Sequence, residues 1–330
     1  MSTNNINQNL TNLASPKIGT KIIEVSDDFF GEASRMLDDK EPVFIEDKYD
    51  EHGKWMDGWE SKRRRDGGND WAIIELGSPG IITEIDIDTS FFTGNFPPFA
   101  SIEGLYSDQK PSKDSDWIEI LSKTSLKGDS GNKFKIESKT KVNYIKLQIF
   151  PDGGVARLRL FGEVKLNWDI YNNKNDLIEL SSLKLGGSIV AYNNAHYGDV
   201  SALLSHGRGK TMGDGWETRR RREPGNDWII IKLATKGLIK KIEIDTAHFK
   251  GNYPDQASVQ VSNFDKNKGL EELINDSHNW KYILDKSKLQ ADNIHNYEVN
   301  DTSIKGVTHV RLNIYPDGGV SRLRIFGLKL

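Results

Sequence analysis

Residues 57–71 read DGWESKRRRDGGNDW and return at 214–228 as DGWETRRRREPGNDW, with eleven of fifteen positions identical. Each run sets carboxylates and two tryptophans around four consecutive cations, Lys62 to Arg65 or Arg219 to Arg222. Guanidinium groups grip carboxylates through paired N–H donors, and Glu and Asp accept N–H donors or move protons. The chemistry suggested is recognition of a small anion with acid–base work beside it. A solvated charge run, with ion pairs from the cations to Glu60, Asp66, Asp70 and their counterparts, is the plainer reading. Preservation in two otherwise diverged copies argues against it.

Two further motifs are paired. PDGGVARLRLFG at 151–162 matches PDGGVSRLRIFG at 316–327, a Pro-Asp-Gly-Gly turn feeding a strand. Period two sends Leu158 and Leu160 to the core and Arg157 and Arg159 to the other face, with Arg322 and Arg324 in the second copy. These arginines either grip a carboxylate or brace acidic residues of the DGWE loop. DTSFFTGNFP at 88–97 matches DTAHFKGNYP at 245–254, placing His248 where the first copy has Phe91, with Asp88 and Asp245 suited to capping the loop. Were the cationic run extended, Arg63 and Arg65, or Arg220 and Arg222, would project to one side.

The elements that must hold these motifs follow from the repeat. LASPKIGTKII at 13–23 aligns with LSSLKLGGSIV at 180–190. The spacing between copies then shortens by ten residues before the DGWE block, so the first copy carries an insertion in or near EPVFIEDKYDEHGKW; the second regains eight around NFDKNKGLEELINDSHNW. The expected organisation is a tail over 1–12, one repeat over 13–164, a linker over 165–179 and a second repeat over 180–330. Inside each repeat the apolar residues alternate in short runs, as in IITEIDID, YIKLQIF and ARLRLF, separated by turn residues. That pattern predicts an all-β chain of two tandem jelly-roll β-sandwiches. Helical signal is confined to FFGEASRML and its echo YGDVSALL.

Composition bounds the function. The chain of 330 residues carries a formal net charge of −3, which gives no basic field for nucleic acid or lipid. It has no cysteine, which excludes disulfides and thiolate chemistry, and the uncharged N-terminal segment lacks the form of a signal peptide, so a cytoplasmic protein without a membrane partner is expected. None of the seven histidines stands at H-x-H or H-x-x-x-H spacing. No cofactor is therefore predicted, and dependence on a divalent metal has no support in ligand spacing.

Together, DGWE(S/T)(K/R)RRR…DW, DT(S/A)xFxGN(F/Y)P and PDGGVxRLRxFG, each present twice, closely resemble the allantoicase family, whose members hydrolyse allantoate to ureidoglycolate and urea. The resemblance spans both repeats. It implies galactose-binding-like jelly rolls, a role in purine and allantoin breakdown, and homo-oligomers. The family often has histidine where this chain has Asn69, Asn226 and Phe91. Allantoate carries a carboxylate and two ureido groups on one carbon, so a site needs a cationic fork, acceptors for urea N–H groups and a proton donor for departing urea. On this resemblance Arg220 and Arg222, with Arg322 or Arg324, hold the carboxylate. Glu217 and Asp227 accept from the ureido groups or activate water, His248 is the acid, and Trp216 walls the pocket. The first-copy equivalents are Trp59, Glu60, Arg63, Arg65, Asp70, Arg157 and Arg159. A double carbohydrate-binding module, with Trp59 and Trp216 as stacking platforms, is the non-catalytic alternative.

Overall fold

The computed structural model describes residues 10–171, 176–264, 268–301 and 303–330, and its contacts divide the chain into two units, Leu10–Leu166 and Asn167–Leu330. A strand of nineteen residues is the spine of each: Asp70–Asp88 in the first unit, Asp227–Asp245 in the second. The first half of Asp70–Asp88 pairs with Lys21–Val25 and Lys141–Phe150, and its second half with Gly131–Lys135 and Arg157–Val164. Between the halves the register against Lys141–Phe150 shifts, from Val142 opposite Gly80 to Tyr144 opposite Glu75. The intervening residues include Pro79, which has no N–H to give a ladder. One strand therefore serves two layers.

Phe99–Leu105 and Ile118–Ser125 extend the first layer, and Thr11–Asn12 edges the second. The expected alternation is met: Ile74, Ile85, Ile87, Ile102, Ile145, Leu147, Leu158 and Leu160 are all at most 1% exposed. Burial of this kind contributes about 25 cal/mol per Å² of apolar surface, and it is what holds the layers together. The second unit repeats the plan with Ser188–Tyr192, Val307–Tyr315, Ile294–Glu298 and Arg322–Lys329 on its spine, and with Gln256–Ser262 and Lys281–Lys288 beyond. The architecture is all-β, in two jelly-roll units.

Several boundaries differ from expectation. Of the tail over 1–12, residues 1–9 lie outside the described residues, while Thr11–Asn12 pairs with Phe161 and Gly162. Of the linker over 165–179, residues 172–175 lie outside the described residues, Trp168–Tyr171 forms a 3-10 turn and Ile178–Glu179 pairs with Phe326 and Gly327. The two helical candidates are 3-10 turns, Ala33–Leu37 and Val200–Leu204. An α-helix, Leu270–Ser277, falls in the polar insertion of the second copy, where residues 265–267 lie outside the described residues. Leu270, Leu273 and Ile274, at helical spacing, pack it against Trp228, Phe264 and Trp280. No helix among the described residues is long and apolar enough to cross a membrane.

His309 borders this cluster, 5.8 Å from Phe264 and 6.2 Å from Trp280, ring centre to ring centre. Burial, with Lys232 nearby, pulls its pKa from 6.5 down to about 4. A depressed histidine favours the fold while neutral, so its contribution is complete above pH 6.5 and is lost as pH falls towards 4. The melting temperature of the wild type is expected to fall more steeply across that window than that of His309→Phe; parallel curves would refute the assignment.

Candidate active site

In the second unit three loops are sewn together at one end of the spine. The two-residue strand Trp216–Glu217 pairs with Gly319–Val320, which fixes the DGWE segment to the PDGG turn. The Thr218 amide donates to the Gly318 carbonyl at 3.0 Å, and the Arg221 amide donates to the Asp317 carboxylate at 2.9 Å. The third loop joins when the Gly319 amide donates to the Asn252 carbonyl at 2.8 Å, and the Asn252 side-chain amide donates to the Glu217 carboxylate. Gly318, at φ +137°, has no substitute here: a Cβ would lie 2.7 Å from the Asn252 oxygen. The first unit repeats each contact, with the Arg64 amide 2.7 Å from Asp152, and Asn95 donating to Glu60 at 2.6 Å. Burial raises the Glu60 pKa, and the Asn95 hydrogen bond opposes part of that rise.

Behind this seam lies an ion pair on the first residue of each spine. Arg221 Nη1 donates to Asp227 Oδ1 at 2.7 Å, and Asn193 donates to the same oxygen at 3.0 Å. In the first unit Arg64 Nη1 donates to Asp70 Oδ1 at 2.7 Å, with Ser26 Oγ at 2.9 Å. The second oxygen, Asp70 Oδ2 or Asp227 Oδ2, is buried in both units without a hydrogen-bond partner among the described residues, and so is Arg221 Nε. A buried acceptor left unpaired costs about 1–3 kcal/mol, so its recurrence suits a ligand donor. Among the described residues no three His, Asp or Glu side chains gather as a metal site.

The family model described as Allantoicase repeat matches residues 11–165 and again 178–330. The chain belongs to the allantoicase family. It is 49% identical over 317 residues to "Probable allantoicase 1" of Burkholderia mallei, covering 96% of this chain and 94% of that protein. It is 46% identical to "Probable allantoicase" of Acinetobacter baylyi, covering 96% and 94%. A crystal structure of allantoicase from Saccharomyces cerevisiae superposes with a TM-score of 0.82 at 35% identity, covering 97% of this chain and 94% of that one.

On this allantoicase scaffold the residues expected at the site separate. Glu217 belongs to the seam and Asp227 is tied to the same run through Arg221, as Glu60 and Asp70 are through Arg64. Arg63, Arg65, Arg220 and Arg222 do not lie on strands, so the period-two expectation fails; all four are exposed, with no partner among the described residues. The inward-turned member of each run is the third, Arg64 or Arg221. Trp59 and Trp216 are fully buried, each donating its indole N–H at 2.8 Å to a carbonyl, of Asp27 and Asn194 respectively. They are core residues rather than pocket walls, and neither can stack on a sugar.

The strand arginines brace. Arg322 is 2% exposed and gives its donors to the Gly207, Asp214 and Ser321 carbonyls and the Asp214 carboxylate. Arg157 does the same with Lys40, Ala156 and Asp57. Arg324 is held by Glu179, Glu243 and the Gly207 carbonyl, and Arg159 by Glu41 and Asp88. Asp88 and Asp245 cap their loops. His248 Nε2 lies 2.7 Å from the Gly209 carbonyl, and its amide donates to Asp292; no contact joins it to Glu217 or Asp227. Nothing in the sequence marks Arg221, Asn252, Asp317 or Asn193 individually. The recurrence of Gly-Asn and Pro-Asp in both copies was the available signal for Asn252 and Asp317.

Removing one member of a buried ion pair costs about 3–5 kcal/mol. Arg322→Met and Arg157→Met are therefore expected to lower the melting temperature sharply, while the protein that remains folded keeps its KM. A raised KM at unchanged stability would return these arginines to the substrate.

Proposed function

We propose that the protein is an allantoicase, hydrolysing allantoate to ureidoglycolate and urea, and that Glu217, Asn252, Arg221 and Asp227 form its site in the second unit. Family membership across both repeats supports the reaction. The single structural observation that supports the site is the buried Asp227 Oδ2, without a partner among the described residues; Asn252 orients the Glu217 carboxylate. In hydrolysis the bond from the central carbon to one ureido nitrogen breaks, that nitrogen gains a proton, and the oxygen of water takes its place on carbon. Glu217 takes the proton from water and returns one to the departing urea. Asp227 Oδ2 accepts from a ureido N–H, which answers the cost of its burial. Arg220 and Arg222, exposed and unpaired among the described residues, draw the anion in.

In this reading the protein is a cytoplasmic homo-oligomer that acts on a small molecule and has neither nucleic-acid nor membrane partner. The near-balanced charge supports the last point. Exposed Val43, Phe44, Ile45 and Tyr49 on the first unit's insertion support self-association.

Purified protein is expected to release urea from allantoate and to leave allantoin untouched; absence of turnover refutes the reading. Glu217→Gln should lower kcat by on the order of 10²–10⁴-fold. His248→Phe should change kcat by no more than a few-fold. Phe91 already holds the same backbone at φ 69° with the same amide hydrogen bond, to Asp129. A loss from His248→Phe as large as that from Glu217→Gln would make the histidine the acid.

A further inference from the structure

The two inward arginines differ in what occupies their outer edge. In the first unit Arg64 offers its Nε–Nη2 edge to Asp66, at 3.0 Å and 2.6 Å, a two-pronged carboxylate grip, while Nη1 holds Asp70. In the second unit Arg221 Nη1 holds Asp227 in the same way, but among the described residues no carboxylate meets the outer edge. Arg221 Nε is buried without a partner, and Nη2 has only the Pro224 carbonyl, at 3.5 Å. The residue aligned with Asp66 is Glu223, which is exposed and has no partner among the described residues.

The cause lies in the backbone. Asp66 folds back on Arg64 through Gly67, at φ +77°, and its carboxylate also accepts the Gly68 amide at 3.1 Å. Proline takes the place of Gly67 in the second unit, and its ring fixes φ near −65°, so that turn is closed to Pro224. In both units the turn also lies against the edge: a Cβ on Gly68 or on Gly225 would be 3.0 Å from Nη2 of Arg64 or Arg221, so the second unit differs in the missing carboxylate alone.

We propose that the Nε–Nη2 edge of Arg221 is the carboxylate-binding fork for the substrate, and that in the first unit Asp66 fills the same fork as an internal carboxylate. Asp66 stands in chemically for the substrate's carboxylate, since both present two oxygens to two parallel N–H donors. The entering carboxylate satisfies the orphaned Nε as Glu223–Gly225 gives way. Arg221 then joins the two ends of the substrate, carboxylate on its outer edge and the ureido acceptor Asp227 on Nη1. One unit leaves the fork without a carboxylate and the other fills it with its own, and the dipeptide Glu-Pro against Asp-Gly decides which. The identity of the substrate rests on the function proposed above, but the placement of its carboxylate does not.

The test uses the full chain with allantoate, measuring kcat, KM and melting temperature. Arg221→Lys keeps a charge for Asp227 and loses the planar fork; KM should rise by on the order of 10–100-fold, a larger change than the accompanying fall in kcat. The double variant Glu223→Asp with Pro224→Gly leaves Arg221 in place and copies the first unit's turn; its KM should rise similarly, without loss of melting temperature. Unchanged KM in Arg221→Lys overturns the fork, as does a fall in kcat alone, which would confine Arg221 to holding Asp227. Unchanged KM in the double variant overturns the role of the turn. Failure of the wild type to turn over allantoate would instead count against the proposed reaction.

Discussion

The candidate site depends on one interaction, the ion pair between the third cation of the run and the aspartate that opens the long strand. A carboxylate with no exposure, as at Asp70 and Asp227, is tolerable only with a matched cation and further donors. Arg64 or Arg221 supplies the cation, and Ser26 or Asn193 a further donor. Because the aspartate is the first residue of a spine paired on both sides, the pair carries the rigidity of the sandwich into a run with no regular structure. The amide of the same arginine then ties that run to the PDGG turn through Asp152 or Asp317. Loss of the pair would free four adjacent cations to repel one another.

Duplication makes the differences between the units informative, because the scaffold is held constant. Lys146 in the first unit pairs with Glu103 at 2.6 Å. Its counterpart Arg311 has Gln260 opposite in register and lies 4.5 Å from the ring centre of Trp228, with its pKa pulled down to about 10 by burial. An ion pair has thus been exchanged for a guanidinium on an aromatic face with neutral hydrogen-bond partners. The first unit has also gained an exposed insertion, from which Phe44 stacks on Phe91 at 5.7 Å. Side chains turned over freely around these positions, while the seam of Glu, Asn and Gly-Gly did not.

Much of this was legible in the sequence, for reasons that separate backbone from side chain. Period-two alternation fixed the faces of Leu158 and Leu160, because a strand has two sides and one must be dry. The recurrence of DGWE, GNFP or GNYP, and PDGG pointed to a site, and in each unit those segments do converge. The inward arginine was not legible. Period two holds only on a strand, and residues 61–69 and 218–226 lie outside the strands, so counting alternate positions selected the four exposed arginines instead of Arg64 and Arg221. The tryptophans misled in another way: in a polar run they looked like pocket walls, whereas their neighbours are polar because the chain leaves the core immediately after them. The helix at Leu270–Ser277 is faint in the sequence because only three apolar residues mark it in a charged stretch.

The strand arginines support the candidate site by bracing its backbone. Arg157 and Arg322 donate to the carbonyl of the aspartate that begins each DGWE block and also pair with its carboxylate, at 2.7 Å and 2.9 Å. They therefore fix the start of the run, while Arg64 and Arg221 fix its middle and Asp70 and Asp227 its end. With all three points held, the glutamate between them is placed by backbone geometry and needs only the asparagine to set its rotation. A guanidinium that spends its donors on main-chain carbonyls has none left for a ligand, and that allocation separates Arg322, as a brace, from Arg221, which keeps an edge in reserve.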